Sequence, residues 1–293
     1  MTYPLGGYGV IAHNRRAGLL PITFTVNTAN AGSASDTFIL PIGVVTSGTL
    51  LVDWGDTPTA TDTYTTAGNK THVYTAGSGI YIVTLDRSPT FTGQPIKFIG
   101  VGDILKITDI TQWGRAIIWD TLLDSFTDCT NMVVSATDTP DFKDVTSFNQ
   151  TFRDCSAITT LTNSNSWNVS SCIDMIAMFR GNSLLTSLDL SNWDTSSCTN
   201  MGSMFRSTLL TTVPGVSSFN MTNVNDASSM FKDVTLTTAA YDAILIGWEV
   251  QAVQNNVIFD GGNSTYTSAG AGGTARAALV ADHSWTITDG GGV

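Results

Sequence analysis

The stretch LDLSNWDTSSCTNMGSMF, residues 188–205, is one unit of an internal repeat that organises the chain. Two columns of aromatic residues share its period. The first recurs at steps of 26, 27, 26 and 26 residues and holds Phe126, Phe152, Phe179, Phe205 and Phe231. The second recurs at steps of 29, 25, 26, 26 and 29 residues and holds Trp113, Phe142, Trp167, Trp193, Phe219 and Trp248. A period between 20 and 50 residues indicates a solenoid or array, with these rings as its repeat core.

Each repeat predicts the same succession of local structures. A short strand ends at Leu190, a turn follows, and Trp193 enters the core. A single helical turn is then expected to end in Met-x-x-Met-Phe, because Met201 and Met204 are three residues apart and would share a helix face. One unit buries too few apolar side chains to offset the cost of ordering it, so the repeats are expected to fold only as a stack.

These residues resemble the BspA-like leucine-rich repeats, whose consensus is close to M-F-x-x-C-x-x-L-x-x-L-D-L-S-x-W-D-T-S-x-V-x-x-M. The resemblance covers roughly residues 100–235, and the unit 178–205 is nearly consensus, whereas Phe142 stands where the consensus has Trp. That family occurs on bacterial and protist surfaces and in bacteriophage genomes, and it is associated with adhesion and protein–protein contact. The resemblance therefore implies an adhesive surface and no catalytic centre.

Residues 21–92 predict a β-sandwich, because four runs of β-branched and aromatic residues lie between turn-forming clusters. These runs are Ile22–Val26, Thr37–Leu40, Gly48–Trp54 and Gly79–Leu85. The residues VDWGD at 52–56, HVYT at 72–75 and GIYIVTL at 79–85 resemble the polycystic-kidney-disease (PKD) type of immunoglobulin-like domain, although Thr57 replaces a usual Gly. Such domains are spacers or binding modules, which implies the same here. We expect Asp56 to tie its own turn; calcium binding by Asp53 and Asp56 is the alternative.

Composition limits the possible partners. The chain has 293 residues, 13% of them charged, and a net charge of −11. An acidic surface repels nucleic acid and anionic lipid, so neither is an expected partner. No run of 18 apolar residues predicts a membrane span, and Met1 to Pro21 does not read as a secretory signal. Residues 1–20 are Gly-rich and are interpreted as an extended arm, either disordered or ordered on a partner subunit.

Residues 237–293 are expected to cap the array. Helical spacing over Leu236–Trp248 places Ala240, Ile244 and Trp248 on one face. A strand at Asn256–Phe259, a helix near 273–281 and a strand at Ser284–Thr288 follow. Residues 261–266 and 282–291 resemble the tail that commonly ends phage and bacterial members of the repeat family.

One column of cations is a candidate ligand-contact ladder, since it recurs directly after the Phe column. It holds Arg153, Arg180, Arg206 and Lys232, with Asp128, Asp154 and Asp233 close in sequence. Four cations in file on an acidic protein suit an anionic glycan, whereas the alternative is a solvated edge of local ion pairs.

The four cysteines form two pairs, each 26 residues apart: Cys129 with Cys155, and Cys172 with Cys198. Buried thiols, cross-rung disulfides and, least favoured, a metal site are the alternatives. The three histidines, His13, His72 and His283, are isolated and interpreted as structural. No catalytic residue, metal ligand or cofactor is assigned.

The sequence therefore predicts a mainly β protein. Its parts are an arm (1–20), a PKD/Ig-like β-sandwich (21–92), a short leucine-rich-repeat solenoid (93–236) and an α/β C-terminal cap (237–293). We expect a non-enzymatic bacteriophage virion protein, a tail or head fibre or a capsid decoration protein. The arm would contact other virion proteins, and the solenoid would face outward towards a host-surface glycan or protein. A homo-oligomer is expected, with a trimer as one option. The alternatives are a bacterial surface adhesin and a polysaccharide-degrading spike.

Overall fold

The computed structural model describes residues 20–56, 61–88, 90–98, 100, 102–114 and 121–293. Nearly all of the predicted arm lies outside these residues. The strands are β1 Ile22–Asn27, β2 Thr37–Ile42, β3 Val45–Ser47, β4 Leu50–Asp53, β5 Thr61–Tyr64, β6 Gly68–Val73, β7 Ile80–Arg87, β8 Thr92–Gly93, β9 Ile107–Gln112, β10 Val133–Val134, β11 Ile258–Asp260 and β12 Thr286–Thr288. The helices are α1 Thr238–Glu249 and α2 Ala271–His283, with two 3₁₀ turns at Ser164–Ser166 and Val216–Ser218. The prediction of a mainly β fold is confirmed.

The N-terminal region packs a large sheet against a small one. The large sheet has the order β10-β9-β1-β7-β4-β5, and the small sheet pairs β2 with β6. Alternate residues of β1 are buried, as expected for a strand with one face on a core. Phe24 on β1 meets Phe38 on β2 at 6.2 Å, and Phe38 meets Trp54 at 6.3 Å, so these rings join the two layers. Each of the four predicted runs overlaps an observed strand, namely β1, β2, β4 and β7.

Strand β9 links the N-terminal region to the repeats. It pairs antiparallel with β1 through Phe24↔Ile110 and parallel with β10 through Val134↔Ile110. The same strand therefore belongs to the sandwich sheet and to the first parallel step of the repeats. Hydrogen bonding is continuous from one region into the other, because β9 is bonded along both of its edges.

The repeats stack through parallel contacts between equivalent residues. Isolated bridges join Ser147 to Asp174, Asp174 to Asn200, and Asn200 to Asp226. The five rings of the Phe column stack face to face at centroid distances of 5.7, 5.9, 6.0 and 5.1 Å. Each repeat thus forms one rung, and its main neighbours are the equivalent residues of the rungs before and after it.

The predicted helical turn before each Phe is wrong. Residues 202–207 form consecutive turns, with Ser203 at φ 58° and Ser207 at φ 60°. Left-handed residues at this spacing stop a right-handed helix. They direct alternate peptides along the stack, so that Met201, Ser203 and Phe205 donate their N–H groups to the next rung at 2.9, 2.8 and 3.0 Å. A right-handed helical turn would direct these N–H groups along its own axis, so they would not reach the next rung.

Non-repeat segments satisfy the free backbone groups at both ends of the stack. At the start, Gln94 Nε2 donates to the Leu123 carbonyl at 2.6 Å and the Phe98 N–H donates to the Ser125 carbonyl at 3.1 Å. At the far end, the Phe231 N–H donates to the Asp260 carbonyl at 2.9 Å. These contacts act as caps, since a terminal rung otherwise presents unpaired groups.

The C-terminal segment contains the predicted helix–strand–helix–strand order, as α1, β11, α2 and β12. Thr237 caps α1 by accepting from the Ala240 N–H, and α1 buries Ile244 and Trp248 as the spacing predicted. β11 pairs parallel with β12, which continues the direction of the rungs. Over the described residues, neither helix has the length and apolar character needed to cross a membrane.

Candidate functional site: the basic ladder

The basic ladder lies on the turn flank, which we define as residues 122–128, 148–154, 175–181, 201–207 and 227–233. Each cation follows a buried Phe and precedes a residue with positive φ, which is Asp154, Gly181, Ser207 or Asp233. Backbone bonds hold the column in register: Asp154 to Arg180 at 2.7 Å, Gly181 to Arg206 at 2.8 Å and Ser207 to Lys232 at 3.0 Å. The structure therefore brings the four predicted cations together on successive rungs.

Two members of the ladder are engaged by carboxylates. Arg153 Nε donates to Asp154 Oδ2 at 3.0 Å, and its Nη2 lies 3.6 Å from Asp128 Oδ1. Arg206 Nε lies 3.5 Å from Asp233 Oδ2. These pairs are partly exposed, so each contributes little to stability. They match the alternative of a solvated edge with local ion pairs, but only for these two residues.

The other two cations are not neutralised. In the described part of the chain, neither the Arg180 guanidinium nor the Lys232 ammonium has a carboxylate within ion-pair distance. The neighbour of Arg180 that corresponds to Asp154 is Gly181, and a Cβ there would lie 1.9 Å from Asp154 Oδ1. This position therefore has no room for a carboxylate side chain that could pair with Arg180. The second and fourth members of the ladder therefore carry unpaired positive charge on a chain of net charge −11.

The aromatic columns lie beneath this surface and hold it in place. All ten predicted core rings are buried: Trp113, Phe126, Phe152, Trp167, Phe179, Trp193, Phe205, Phe219, Phe231 and Trp248. Trp193 stacks on Trp167 at 6.2 Å and on Phe219 at 6.4 Å, and its indole N–H donates to the Ser164 carbonyl at 2.7 Å. These rings serve packing, and none of them is available to a ligand.

The four cysteines are buried and free. Burial raises the pKa of each thiol, and that of Cys198 reaches about 12. Cys155 Sγ donates to the Phe126 carbonyl at 2.9 Å, which ties it to the preceding rung. Thiols in this protonated and inaccessible state are poor nucleophiles and poor metal ligands. Among the described residues, no group of three or more His, Cys, Asp or Glu side chains is placed to hold a metal.

The acidic turn at residues 53–56 differs from the prediction. Asp53 Oδ1, and not Asp56, accepts the Gly55 N–H at 2.9 Å and closes the turn. Asp56 Oδ2 instead lies 2.9 Å from His72 Nε2, and the His72 ring stacks on Trp54 at 4.8 Å. The turn therefore depends on Asp53, because its side chain reaches the N–H two residues ahead. His72 is structural, as predicted, whereas His13 lies outside the described residues.

Sequence reasoning missed one buried ion pair. Lys106 is fully buried and lies 3.7 Å from Asp103, and it donates to the carbonyls of Ser33, Ala34 and Thr37 at 3.1, 2.9 and 2.7 Å. Asp103 accepts from the backbone N–H groups of Ser33 and Ile39, both at 2.7 Å. The pair joins the loop before β2 to the start of β9. Because its partners are 64 to 73 residues away, no local pattern marks it.

Comparison with known proteins covers part of the chain. The family described as "Mycoplasma protein of unknown function, DUF285" matches residues 120–248, which is less than half of the 293 residues. The matched region holds the stacked rungs and almost all of α1, and it supports the BspA-like resemblance at the level of the repeat. No curated protein and no solved structure matches the chain.

Proposed function

We propose that this protein is a non-enzymatic attachment protein of a bacteriophage particle, a fibre or a capsid decoration protein, and that its basic ladder binds an anionic glycan of the host surface. The observation that carries the proposal is the file of cations in register, with Arg180 and Lys232 free of carboxylates. A polyanion presents charges at regular intervals, and the stacked rings beneath the ladder have centroids 5.1 to 6.0 Å apart, which is comparable to the rise of one sugar residue in an extended glycan.

The surface chemistry indicates the class of glycan. No aromatic ring is among the exposed large hydrophobic side chains of the described residues. Stacking of sugar rings on aromatic side chains is therefore not the expected mode of recognition there. Cations beside hydroxyl-bearing and amide side chains favour charged groups such as carboxylate or sulfate. Ser207, which follows Arg206 on the same flank, supplies a further hydroxyl group.

The test is binding of the intact protein to a sulfated or uronate polysaccharide, with neutral dextran as the comparison ligand. The variant Arg180→Ala/Lys232→Ala is expected to weaken binding to the polyanion at least about tenfold, and added salt is expected to weaken wild-type binding. The matched control is Lys70→Ala/Lys143→Ala, which removes the same charge from positions outside the turn flank. Equal losses in the two double variants would show that net charge, and not the ladder, governs binding.

The same incubation separates a binder from a polysaccharide-degrading spike. A binder leaves the chain length of the glycan unchanged, whereas a degrading spike shortens it over time. Size-exclusion chromatography of the glycan after prolonged incubation gives the answer. Shortened chains would contradict the non-enzymatic part of the proposal.

A bacterial surface adhesin is the second candidate, and the match to a family described from Mycoplasma favours it. Both candidates use the same ladder, so binding alone does not distinguish them. Antibody labelling of purified particles and of intact cells distinguishes the two candidates. Labelling confined to cell surfaces would replace the virion location with the cellular one and leave the glycan-binding proposal in place.

A further inference from the structure

The stack has a second surface, which differs from the turn flank in that it carries no charged residues. We define the strand flank as residues 131–135, 157–160, 183–187, 209–214 and 235–237. Thr186 donates its N–H to the Thr159 carbonyl at 3.1 Å, and Thr237 donates to the Thr211 carbonyl at 2.8 Å. The exposed side chains of successive rungs therefore lie in file here too.

The strand flank carries no charge. The chain holds 24 acidic residues, 13 Lys and Arg and 3 His, yet none of the 40 falls within residues 129–137, 155–173, 181–188, 207–225 or 234–241. These segments contain the whole strand flank. The charges of the same repeats lie instead on the turn flank and at the corners between flanks. Such segregation leaves one uncharged surface on a strongly acidic protein.

This surface also exposes apolar side chains next to a groove. Leu184 and Leu209 lie on adjacent rungs and are 50% and 56% exposed. Beside the last of these rungs is a groove of 170 Å³, lined by Thr212, Pro214, Ala240, Ala243 and other uncharged residues of the rung and of α1. Exposed apolar side chains beside a concave uncharged lining are typical of an interface with another protein surface.

We propose that the strand flank is a self-association surface, at which a second copy of this chain docks. Two copies that each carry a net charge of −11 repel one another wherever carboxylates approach within a screening length of about 8 Å. The strand flank is where two copies can meet without this repulsion. A basic partner would be attracted to the acidic surfaces instead, and a neutral flank offers it no advantage.

The geometry suits a self-complementary contact. In an interface with twofold symmetry, each copy presents the same patch, so an exposed Leu184 or Leu209 of one copy can enter the groove of the other. The strand flank thus supplies both halves of such a contact, an exposed leucine and a groove, from neighbouring rungs. Association of this kind depends on apolar burial, so salt is expected to leave it unchanged or to strengthen it. The inference does not depend on glycan binding at the basic ladder.

The test is sedimentation velocity of the full chain over a concentration series at low and high salt. Wild type is expected to associate, and Leu184→Asp/Leu209→Asp is expected to raise the dissociation constant at least about tenfold. The matched control, Ser203→Asp/Ser229→Asp, adds the same two negative charges on the turn flank. Both serines occupy left-handed positions in the column that holds Asp124, so Asp is tolerated there. The control is expected to associate as wild type does.

Three results would overturn the proposal: a monomeric wild type at every concentration, equal losses in the two Asp double variants, or wild-type association that salt abolishes. Circular dichroism and melting temperature check that each variant is folded. If Leu184→Asp/Leu209→Asp does not fold, Leu184→Ser/Leu209→Ser removes the apolar contact without adding charge. An unchanged dissociation constant in that serine variant would equally overturn the proposal.

Discussion

The N-terminal sandwich and the repeat stack build their cores in different ways. In the sandwich, residues of different types meet, such as Phe38 with Trp54 and Trp54 with His72. In the stack, like residues meet at a fixed separation, and Phe179 lies between Phe152 and Phe205 with nearly parallel rings. The sandwich therefore depends on individually matched partners, whereas the stack depends on a column in which one residue type has to suit both neighbours.

The two regions also treat polar groups differently. The sandwich buries the Lys106–Asp103 pair and satisfies it with backbone partners from a distant loop. The stack places its charges on the surface and fills one interior column with Cys129, Cys155, Thr208 and Val234. Asn182 occupies the same column, and both polar atoms of its buried amide lack a hydrogen-bond partner. Four substitutions test this contrast.

The largest effect is expected for Trp193→Ala in the stack. The change removes a buried ring that contacts two neighbouring rungs and leaves the Ser164 carbonyl without its indole donor. The expected loss is about 4–6 kcal/mol in the free energy of unfolding, measured by urea denaturation. Trp193→Phe is the control and should cost only about 1–2 kcal/mol, because Phe219 already occupies this column.

Lys106→Met is expected to cost about 3–5 kcal/mol, because it leaves Asp103 buried without its cation. Since β9 belongs to both regions, the transition is expected to move to lower urea concentration for sandwich and stack together. Hydrogen exchange resolved by region is the measurement. Protection that falls only in residues 22–87 would show that the stack folds independently of the sandwich. Lys143→Met, at an exposed site, should have almost no effect.

Asn182→Val is expected to stabilise the protein by about 1–2 kcal/mol, because it removes a buried amide with no hydrogen-bond partner. Val234 shows that the column accepts Val. The reciprocal change Cys155→Asn should destabilise by a similar amount. The melting temperature is expected to rise for Asn182→Val and to fall for Cys155→Asn. A destabilising effect of Asn182→Val would contradict the prediction, because it would show that the Asn182 amide is hydrogen-bonded in the folded protein.

The smallest effect concerns Asp189 at low pH. Hydrogen bonds from the Ser191 hydroxyl, and then from its backbone N–H and from Asn165, hold the pKa of Asp189 below its usual range. A lowered folded pKa contributes stability above the unfolded value of about 3.9, and this is lost as pH falls through the folded pKa. Asp189→Asn should therefore be slightly destabilising near neutral pH. The difference in melting temperature from wild type should shrink as pH falls below about 4 and disappear only below the lowered folded pKa.

Much of the fold followed from local patterns. The strands around Phe24, Phe38, Val52 and Val83 were predictable because alternation and flanking turns mark them directly. The ladder was predictable as a column, because a 26-residue period places equivalent residues side by side. The state of its members was not, since Arg153 is paired by carboxylates and Arg180 is not. Arg153 has Asp154 next to it, where Arg180 has Gly181, and its second carboxylate, Asp128, comes within 3.6 Å only because the rungs are stacked.

By itself, the sequence determined which residues recur and therefore which rings, thiols and cations share a column. Only the tertiary structure decided the backbone that joins them. Met201 and Met204 have helical spacing, but inter-rung bonds from Met201, Ser203 and Phe205 require left-handed residues between them. Only the tertiary structure placed β9 in two regions and made Gln94 a cap, because both roles depend on partners supplied by distant segments. A period specifies neighbours along the stack, whereas the folded chain determines how their peptide groups are satisfied.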